Sequence, residues 1–168
     1  MLSCLGNYLD RKFAHVPPTA DIDGFLNLLL LVVQSQSLVV SIPVLVTWTR
    51  LLGNRLIGPR SANSHLIGPL LEVCSSRLIK YENLPEDTND ATFLFLLEDT
   101  DTMPERHAFL GNYRRYSSNV IETIVQLKLS EAVYHILSQA ENMLEHLYEG
   151  QPALNGTSSL ESYMLPLC

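Results

Sequence analysis

The chain has 168 residues, of which 46% are hydrophobic and 17% are charged, and its formal net charge is −7. Its length favours one domain with a sizeable core, and its composition excludes disorder over most of the chain. The acidic balance also excludes a general nucleic-acid binder, because phosphate binding requires a surplus of Lys and Arg. An RNA contact would need a local basic patch, for which the candidates are Arg50, Arg55 and Arg60, or Arg114 and Arg115.

Apolar residues recur at helical spacing along most of the chain, and capping and turn residues divide this pattern into six predicted helices. Asp21 is the expected N-cap of the second helix, and Pro43 is tolerated in the third only if it falls in the first turn. Residues 58–64 form a predicted loop. The predicted helices lie within residues 1–16 and at residues 22–34, 37 or 41 to 52, 65–81, 104–127 and 130–148.

Residues 24–49 carry no charge and are long enough to span a bilayer, which takes about 20 residues. Four polar residues at positions 34–37 interrupt the stretch, Pro43 follows, and no basic cluster marks one end. Two buried helices broken by a polar turn therefore fit better, and we expect no membrane insertion. A small membrane-anchored protein remains an alternative.

Residues 82–105 hold eight acidic side chains and no Lys or Arg, and an apolar run at residues 93–97 lies in their middle. The apolar run predicts that this acidic connector folds back onto the helices. The acids predict a contact with a basic partner, and the alternative is internal pairing with Arg106, Arg114 and Arg115. The acids are Glu82, Glu86, Asp87, Asp90, Glu98, Asp99, Asp101 and Glu105.

Catalytic and metal-binding patterns are missing from the sequence. It has no phosphate-binding glycine loop and no GxSxG or HExxH motif, and its five histidines are scattered. His107 near Asp99 and Asp101 is better interpreted as a surface residue than as a metal ligand. Three widely spaced cysteines indicate reduced thiols in a cytosolic or nuclear protein. We expect a protein that is not an enzyme and that needs no cofactor.

The helices and the short connections between them predict an all-α fold. Antiparallel helix pairs of this length favour a HEAT-repeat solenoid over a closed bundle, with units at residues 22–52 and 65–127. Residues 151–168 are rich in Pro, Gly and Ser and are predicted to be a disordered tail, so that residues 1–150 form the repeat segment.

Two stretches resemble a known family. Arg77-Leu-Ile-Lys-Tyr-Glu82 and residues 86–116, which end in Asn112-Tyr-Arg-Arg-Tyr116, are similar to the exportin-5 family, and to a fungal member in particular. That family consists of nuclear export receptors of the karyopherin-β, or importin-β, superfamily. The similarity extends over residues 25–152, and the tail looks unrelated.

The resemblance implies a segment of a long HEAT-repeat superhelix that binds Ran in its GTP form together with cargo, either protein or structured RNA. It also implies contact with nuclear pore proteins and shuttling between nucleus and cytoplasm. We expect an internal fragment that is not active alone, and the alternative is a generic helical scaffold. The candidate partner-binding residues are Glu86, Asp87, Asp90, Glu98, Asp99, Asp101, Arg114 and Arg115.

Overall fold

The computed structural model describes residues 1–62, 65–78, 80, 81, 84 and 88–145. This part of the chain is all-α, which confirms the predicted fold class, and a short 3-10 helix at Phe13–His15 follows the first α-helix. The α-helices are α1 (Leu2–Lys12), α2 (Ile22–Val33), α3 (Leu38–Gly53), α4 (Gly58–Ala62), α5 (Ile67–Ser76), α6 (Ala91–Asp99), α7 (Met103–Leu127) and α8 (Leu129–Glu145).

Helix α3 is the centre of the fold and packs against α1, α2, α4, α6 and α7. It is apolar around most of its circumference, so Leu45, Trp48 and Leu51 are fully buried. Truncating a buried side chain as large as that of Trp48 to Ala costs about 3–5 kcal/mol. Helix α7 in turn packs against α3, α5 and α8, so α1 and α8 lie at opposite ends of the row α1–α3–α7–α8.

The uncharged stretch at residues 24–49 forms two helices, as predicted. Asp21 caps α2, because its Oδ1 accepts a hydrogen bond of 2.8 Å from the backbone N–H of Gly24. Helix α2 is not buried throughout, however, since Leu28 and Leu31 are 52% and 61% exposed. Among the described residues, no helix combines the length and apolar character required to cross a membrane.

Pro43 lies inside α3, as its sixth residue, which corrects the expectation that it sits in the first turn. Proline has no N–H to donate to the carbonyl four residues earlier. That carbonyl belongs to Val39, which is exposed, as Pro43 is, so water is available as its partner. The helix continues through Pro43, and Thr47 Oγ1 donates a 2.8 Å hydrogen bond to its carbonyl.

Residues 58–62 form the short helix α4 where a loop was predicted. Asn54 organises the preceding turn, because its side-chain oxygen accepts from the backbone N–H groups of Leu56 and Ile57 at 2.9 and 3.4 Å. Its backbone carbonyl accepts from Gly58 at 2.8 Å, which starts the helix. A Gly-Pro pair is typical of a turn, which is why a loop was predicted here and not the start of a helix.

Helix α5 ends at Ser76, earlier than the predicted end at residue 81. The helix closes in a tight turn, in which the N–H of Leu78 donates to the carbonyl of Ser75 at 3.2 Å. Arg77 follows the helix as its C-cap, and its guanidinium donates to the carbonyls of Val33 and Gln34 at 2.7 and 3.1 Å. These carbonyls belong to the C-terminal end of α2, where helical partners are missing. The Arg77 side chain thus links the C-terminal end of α2 to the C-terminal end of α5.

The acidic connector contains a helix of its own, α6, which the sequence did not indicate. Phe93 and Leu96 on this helix are buried against the core, and this confirms that the connector folds back. Helix α7 follows after a short turn, and Thr102 Oγ1 caps it by accepting from the N–H of Glu105 at 3.3 Å.

Candidate functional site: an acidic edge between α6 and α7

Asp90 is the first acidic side chain of the connector that the structure describes, and it is used internally. Its Oδ1 accepts from the N–H of Phe93 at 3.0 Å and caps α6. Its Oδ2 accepts from Lys80 Nζ at 2.7 Å. The hydrogen bond with Lys80 lowers the pKa of Asp90 and raises the pKa of Lys80. Asp90 therefore holds the start of α6 in place.

Four acids surround the turn between α6 and α7, and we call Glu98, Asp99, Asp101 and Glu105 the acidic edge; all four are exposed. The turn is fixed by buried Thr100, whose hydroxyl donates a 2.6 Å hydrogen bond to the carbonyl of Leu96. Glu105 also accepts from the backbone N–H of Asp101 at 3.0 Å. The acidic edge is consequently held out to solvent on an ordered turn.

The nearest arginines have other partners. Arg106 Nε donates to Thr100 Oγ1 at 3.4 Å, and its guanidinium lies 5.8 Å from the centre of the Phe93 ring. Arg115 lies 4.9 Å from the ring centre of Tyr116 and donates to Asn112. Within the described residues, no ion pair joins the acidic edge to Arg106 or Arg115.

The acidic edge lies at the start of α3, because Ser37 Oγ donates to Asp99 Oδ2 at 3.4 Å. The other end of α3 is basic, with Arg50 and Arg55 both exposed. Arg60 belongs to the same end but pairs with Asp23 at 3.3 Å. Since α3 has 16 residues, the two ends are about 24 Å apart at about 1.5 Å per residue. Arg50 and Arg55 therefore lie far from the acidic edge, although Asp10 and Asp23 lie at the same end of α3 as they do.

The remaining candidate residues are Arg114, Glu86 and Asp87. Arg114 is half-buried on α7. Glu86 and Asp87 lie outside the described residues, as does the predicted tail at residues 151–168. In the ranges that the structure describes, no three His, Cys, Asp or Glu side chains come together in a way that would hold a metal ion.

A polar cluster that the sequence did not indicate lies between α5 and α7, formed by buried Cys74 and Tyr113 and half-buried Arg77. Burial raises the pKa of Cys74 to about 12, with the Arg77 guanidinium opposing the effect. Burial likewise raises the pKa of Tyr113. Cys74 stays a thiol at neutral pH, and nucleophilic chemistry requires the thiolate. The cluster is therefore structural and joins α5 to α7.

Comparison with known proteins gives three results. An uncharacterized protein of Schizosaccharomyces pombe is 25% identical over 141 residues, which is 81% of this chain and 11% of that protein. The chain thus spans about a tenth of the length of this relative. No solved structure matches it. The sequence model of the Exportin-5 family matches residues 1–167, and the chain belongs to this family.

Proposed function

We propose that the chain acts as a segment of a nuclear export receptor of the karyopherin type, which binds Ran-GTP and cargo and passes between nucleus and cytoplasm with the help of nuclear pore proteins. The observation that carries this proposal is the family match over residues 1–167. The helical layout supports it, since stacked helix pairs offer extended surfaces for macromolecular partners. The function is binding, with no catalytic step.

The acidic edge is the part of this segment that we assign to partner binding. Glu98, Asp99 and Asp101 are exposed, and their charge is not neutralised by Arg106 or Arg115. An ordered array of like charges attracts an oppositely charged partner and accelerates encounter, and the effect falls with salt. The expected partner surface is basic and belongs to Ran or to a protein cargo.

The test is charge reversal at the positions equivalent to Glu98→Lys and Asp101→Lys in a full-length family member. Glu72→Lys with Glu122→Lys is the matched control, because both are exposed acids outside the acidic edge, one on α5 and one in the C-terminal part of α7. The acidic-edge variant is expected to retain about tenfold less Ran or protein cargo, a loss of about 1.4 kcal/mol. The assay is capture by receptor in the presence of a non-hydrolysable GTP analogue, at low and high salt.

Two results would refute this role for the acidic edge. Binding equal to that of the unmodified receptor, with unchanged circular dichroism, would show that the acids touch no partner. An equal loss in the control variant would show a general effect of net charge. Neither result bears on family membership. If the variant receptor still binds Ran, the proposed function stands, and only the role of the acidic edge in partner binding is refuted.

A structured RNA cargo requires a different surface, and the basic end of α3 is the observation that favours one. Arg50 in the last turn of α3 and Arg55 just after it are exposed there, at the end of the helix remote from the acidic edge. If this end binds phosphates, Arg50→Glu with Arg55→Glu should weaken RNA binding and flatten its salt dependence. Electrophoretic mobility shifts with a short RNA hairpin measure both effects. Unchanged binding would show that this end of α3 does not bind RNA. A generic scaffold would bind neither Ran nor cargo in these assays.

A further inference from the structure

Helix α6 turns an apolar face away from the core. Phe93 and Leu96 pack inward, whereas Leu94 and Phe95 are 45% and 42% exposed. Exposed residues recur on this outward side at spacings of three and four, which places them in one stripe along a helix. The stripe consists of Ala91, Leu94, Phe95 and Glu98, all exposed, and we call it the α6 face.

The α6 face does not lie at an end of the row α1–α3–α7–α8. Helix α6 packs on α3, and the guanidinium of Arg106 on α7 lies 5.8 Å from the ring centre of buried Phe93. Helix α6 is therefore placed beside α3 and α7, the two inner members of the row. Further repeats of a longer receptor stack beyond α1 and α8, because each repeat contacts its neighbours along the row. Continuation of the stack thus does not require that the α6 face be covered.

The last turn of α6 has an unfavourable charge. It carries Glu98 and Asp99 and no basic residue. The carboxyl end of a helix bears a partial negative charge, so cations are favoured there and carboxylates are not. Within the described residues, the Glu98 carboxylate has no hydrogen bond and no ion pair that would offset this repulsion. A cation supplied by a partner would remove the repulsion.

The α6 face and the acidic edge form one continuous surface, since Glu98 belongs to both. This surface is apolar at Leu94 and Phe95 and negative from Glu98 to Asp101. Its charge disfavours nucleic acids and anionic lipid surfaces, which are negative themselves. The complementary partner is a protein segment that carries apolar side chains next to Lys or Arg. In a helix, such side chains lie on one side when they are three or four residues apart.

We propose that this surface binds a basic amphipathic helix of a partner protein. The proposal rests on the partner-binding role proposed for the acidic edge, and it specifies the chemistry of the partner segment. Leu94 and Phe95 contact the apolar side chains of the partner helix, and Glu98, Asp99 and Asp101 contact its Lys and Arg side chains. The charges orient the partner and accelerate encounter. One helix against one helix is a small interface, so the contact is weak and reversible.

The first measurement is fluorescence anisotropy of labelled peptides titrated with the full chain. The probe is a synthetic helical peptide of Leu and Lys whose leucines share one face. A peptide of the same composition in scrambled order controls for the arrangement of the side chains, and a peptide in which Glu replaces Lys controls for charge. The amphipathic Leu and Lys peptide is expected to bind about tenfold more tightly than either control.

Three variants divide the surface into its parts. Leu94→Ser with Phe95→Ser should weaken binding of the amphipathic peptide about tenfold and leave its salt dependence unchanged. Glu98→Gln with Asp101→Asn should weaken binding similarly and flatten the salt dependence. The matched control, Leu28→Ser with Leu31→Ser on α2, removes equally exposed apolar side chains and should leave binding unchanged.

Glu98→Gln alone separates a binding role from a structural role. It removes a negative charge from the carboxyl end of α6, so the urea midpoint of the free chain should rise while the affinity for the peptide falls. A residue that only supports the fold would change both in the same direction. A lower urea midpoint in this variant would therefore contradict the proposal.

Accessibility is tested in a full-length family member whose other exposed cysteines are replaced by Ser. A cysteine at the position equivalent to Leu94 should react with a maleimide in the free receptor and be protected by the amphipathic peptide. The change equivalent to Leu94→Ser with Phe95→Ser should also reduce capture of the same partner that the acidic-edge variant loses.

Four outcomes would overturn the proposal. Equal affinity for the amphipathic and scrambled peptides would show that only overall charge matters. Unchanged peptide binding after Leu94→Ser with Phe95→Ser, with unchanged circular dichroism, would exclude the α6 face, and an equal loss in the α2 control would show unspecific adhesion. A cysteine that does not react in the free receptor would show that the rest of the receptor covers this face.

The receptor assay also distinguishes failure of this proposal from failure of the proposed function. If the acidic-edge variant loses Ran or cargo while the variant equivalent to Leu94→Ser with Phe95→Ser retains them, only the amphipathic helix is refuted. If the acidic-edge variant loses neither, the partner-binding role of the acidic edge is refuted as well.

Discussion

Gly6 lets α1 approach α3 closely, and replacing it with Ala tests the packing between these two helices. A Cβ at position 6 would overlap Thr47 Cγ2. Thr47 cannot easily rotate away, because it is buried and its Oγ1 donates a 2.8 Å hydrogen bond to the carbonyl of Pro43. Overpacking of this kind costs about 1–3 kcal/mol. Ala is favoured over Gly in a helix by about 1 kcal/mol.

The net expectation for Gly6→Ala is therefore a loss of about 1 kcal/mol in the free energy of unfolding, within a range of about 0–2 kcal/mol. Thr47→Ser removes the overlapping methyl group and keeps the hydroxyl, at a cost of about 1 kcal/mol for the lost burial. In the double variant the overlap is gone and the gain in helix propensity remains. The double variant should thus be at least as stable as Gly6→Ala, with a favourable coupling energy of about 1–3 kcal/mol.

The measurement is urea unfolding followed by circular dichroism and by the fluorescence of Trp48, the one tryptophan of the chain. Gly111→Ala is the matched control, because Gly111 lies in α7 with no atom near the position of the new Cβ. It should gain up to about 1 kcal/mol. The reasoning is refuted if Gly6→Ala is stabilised as much as the control, or if the coupling with Thr47→Ser is zero.

Two further predictions concern single contacts. Asp90→Asn keeps a capping oxygen but loses the ion pair with Lys80, so it should cost about 0.2–1 kcal/mol at pH 7. The folded pKa of Asp90 is lowered, so its contribution is present above its unfolded pKa and disappears as pH falls through the folded pKa; an unfolding difference between variant and parent that persists in acid would contradict this. In a chain carrying Cys168→Ser, a maleimide at neutral pH should label exposed Cys4 rapidly and buried Cys74 only after unfolding. Equal rates in the folded chain would show that Cys74 is not buried.

Local signals made much of the fold predictable. Asp21 accepts a hydrogen bond as the cap of α2, and helix α7 begins within one residue of the predicted position because a proline follows its first residue. Helix α6 was missed because its apolar residues point to several sides, so its period is weak. Asp90, the N-cap of α6, was predicted to bind a partner. Its carboxylate instead accepts hydrogen bonds from the backbone N–H of Phe93 and from Lys80.

The charged residues of the candidate site could be predicted from the sequence, but the contacts between them could not. Sequence shows that Glu98, Asp99 and Asp101 precede several arginines, yet distance along the chain does not decide which charges meet. That outcome depends on side-chain direction and on tertiary contacts, such as the bond from Arg106 to Thr100. The bond between Ser37 and Asp99 joins residues 62 positions apart, and no local pattern indicates it.

Pro43 gives α3 a mechanical property that its central position makes important. A helix bends most easily where its hydrogen-bond ladder is already interrupted, and Pro is the commonest cause of such a bend. The turn from Val39 to Pro43 is such a place, since the missing bond lies between these two exposed residues, on the solvent side. Flexing there would tilt the acidic end of α3 relative to its basic end while Trp48 stays packed. Helix α3 is therefore least stiff at this one turn, and a partner that binds both of its ends could bend it there.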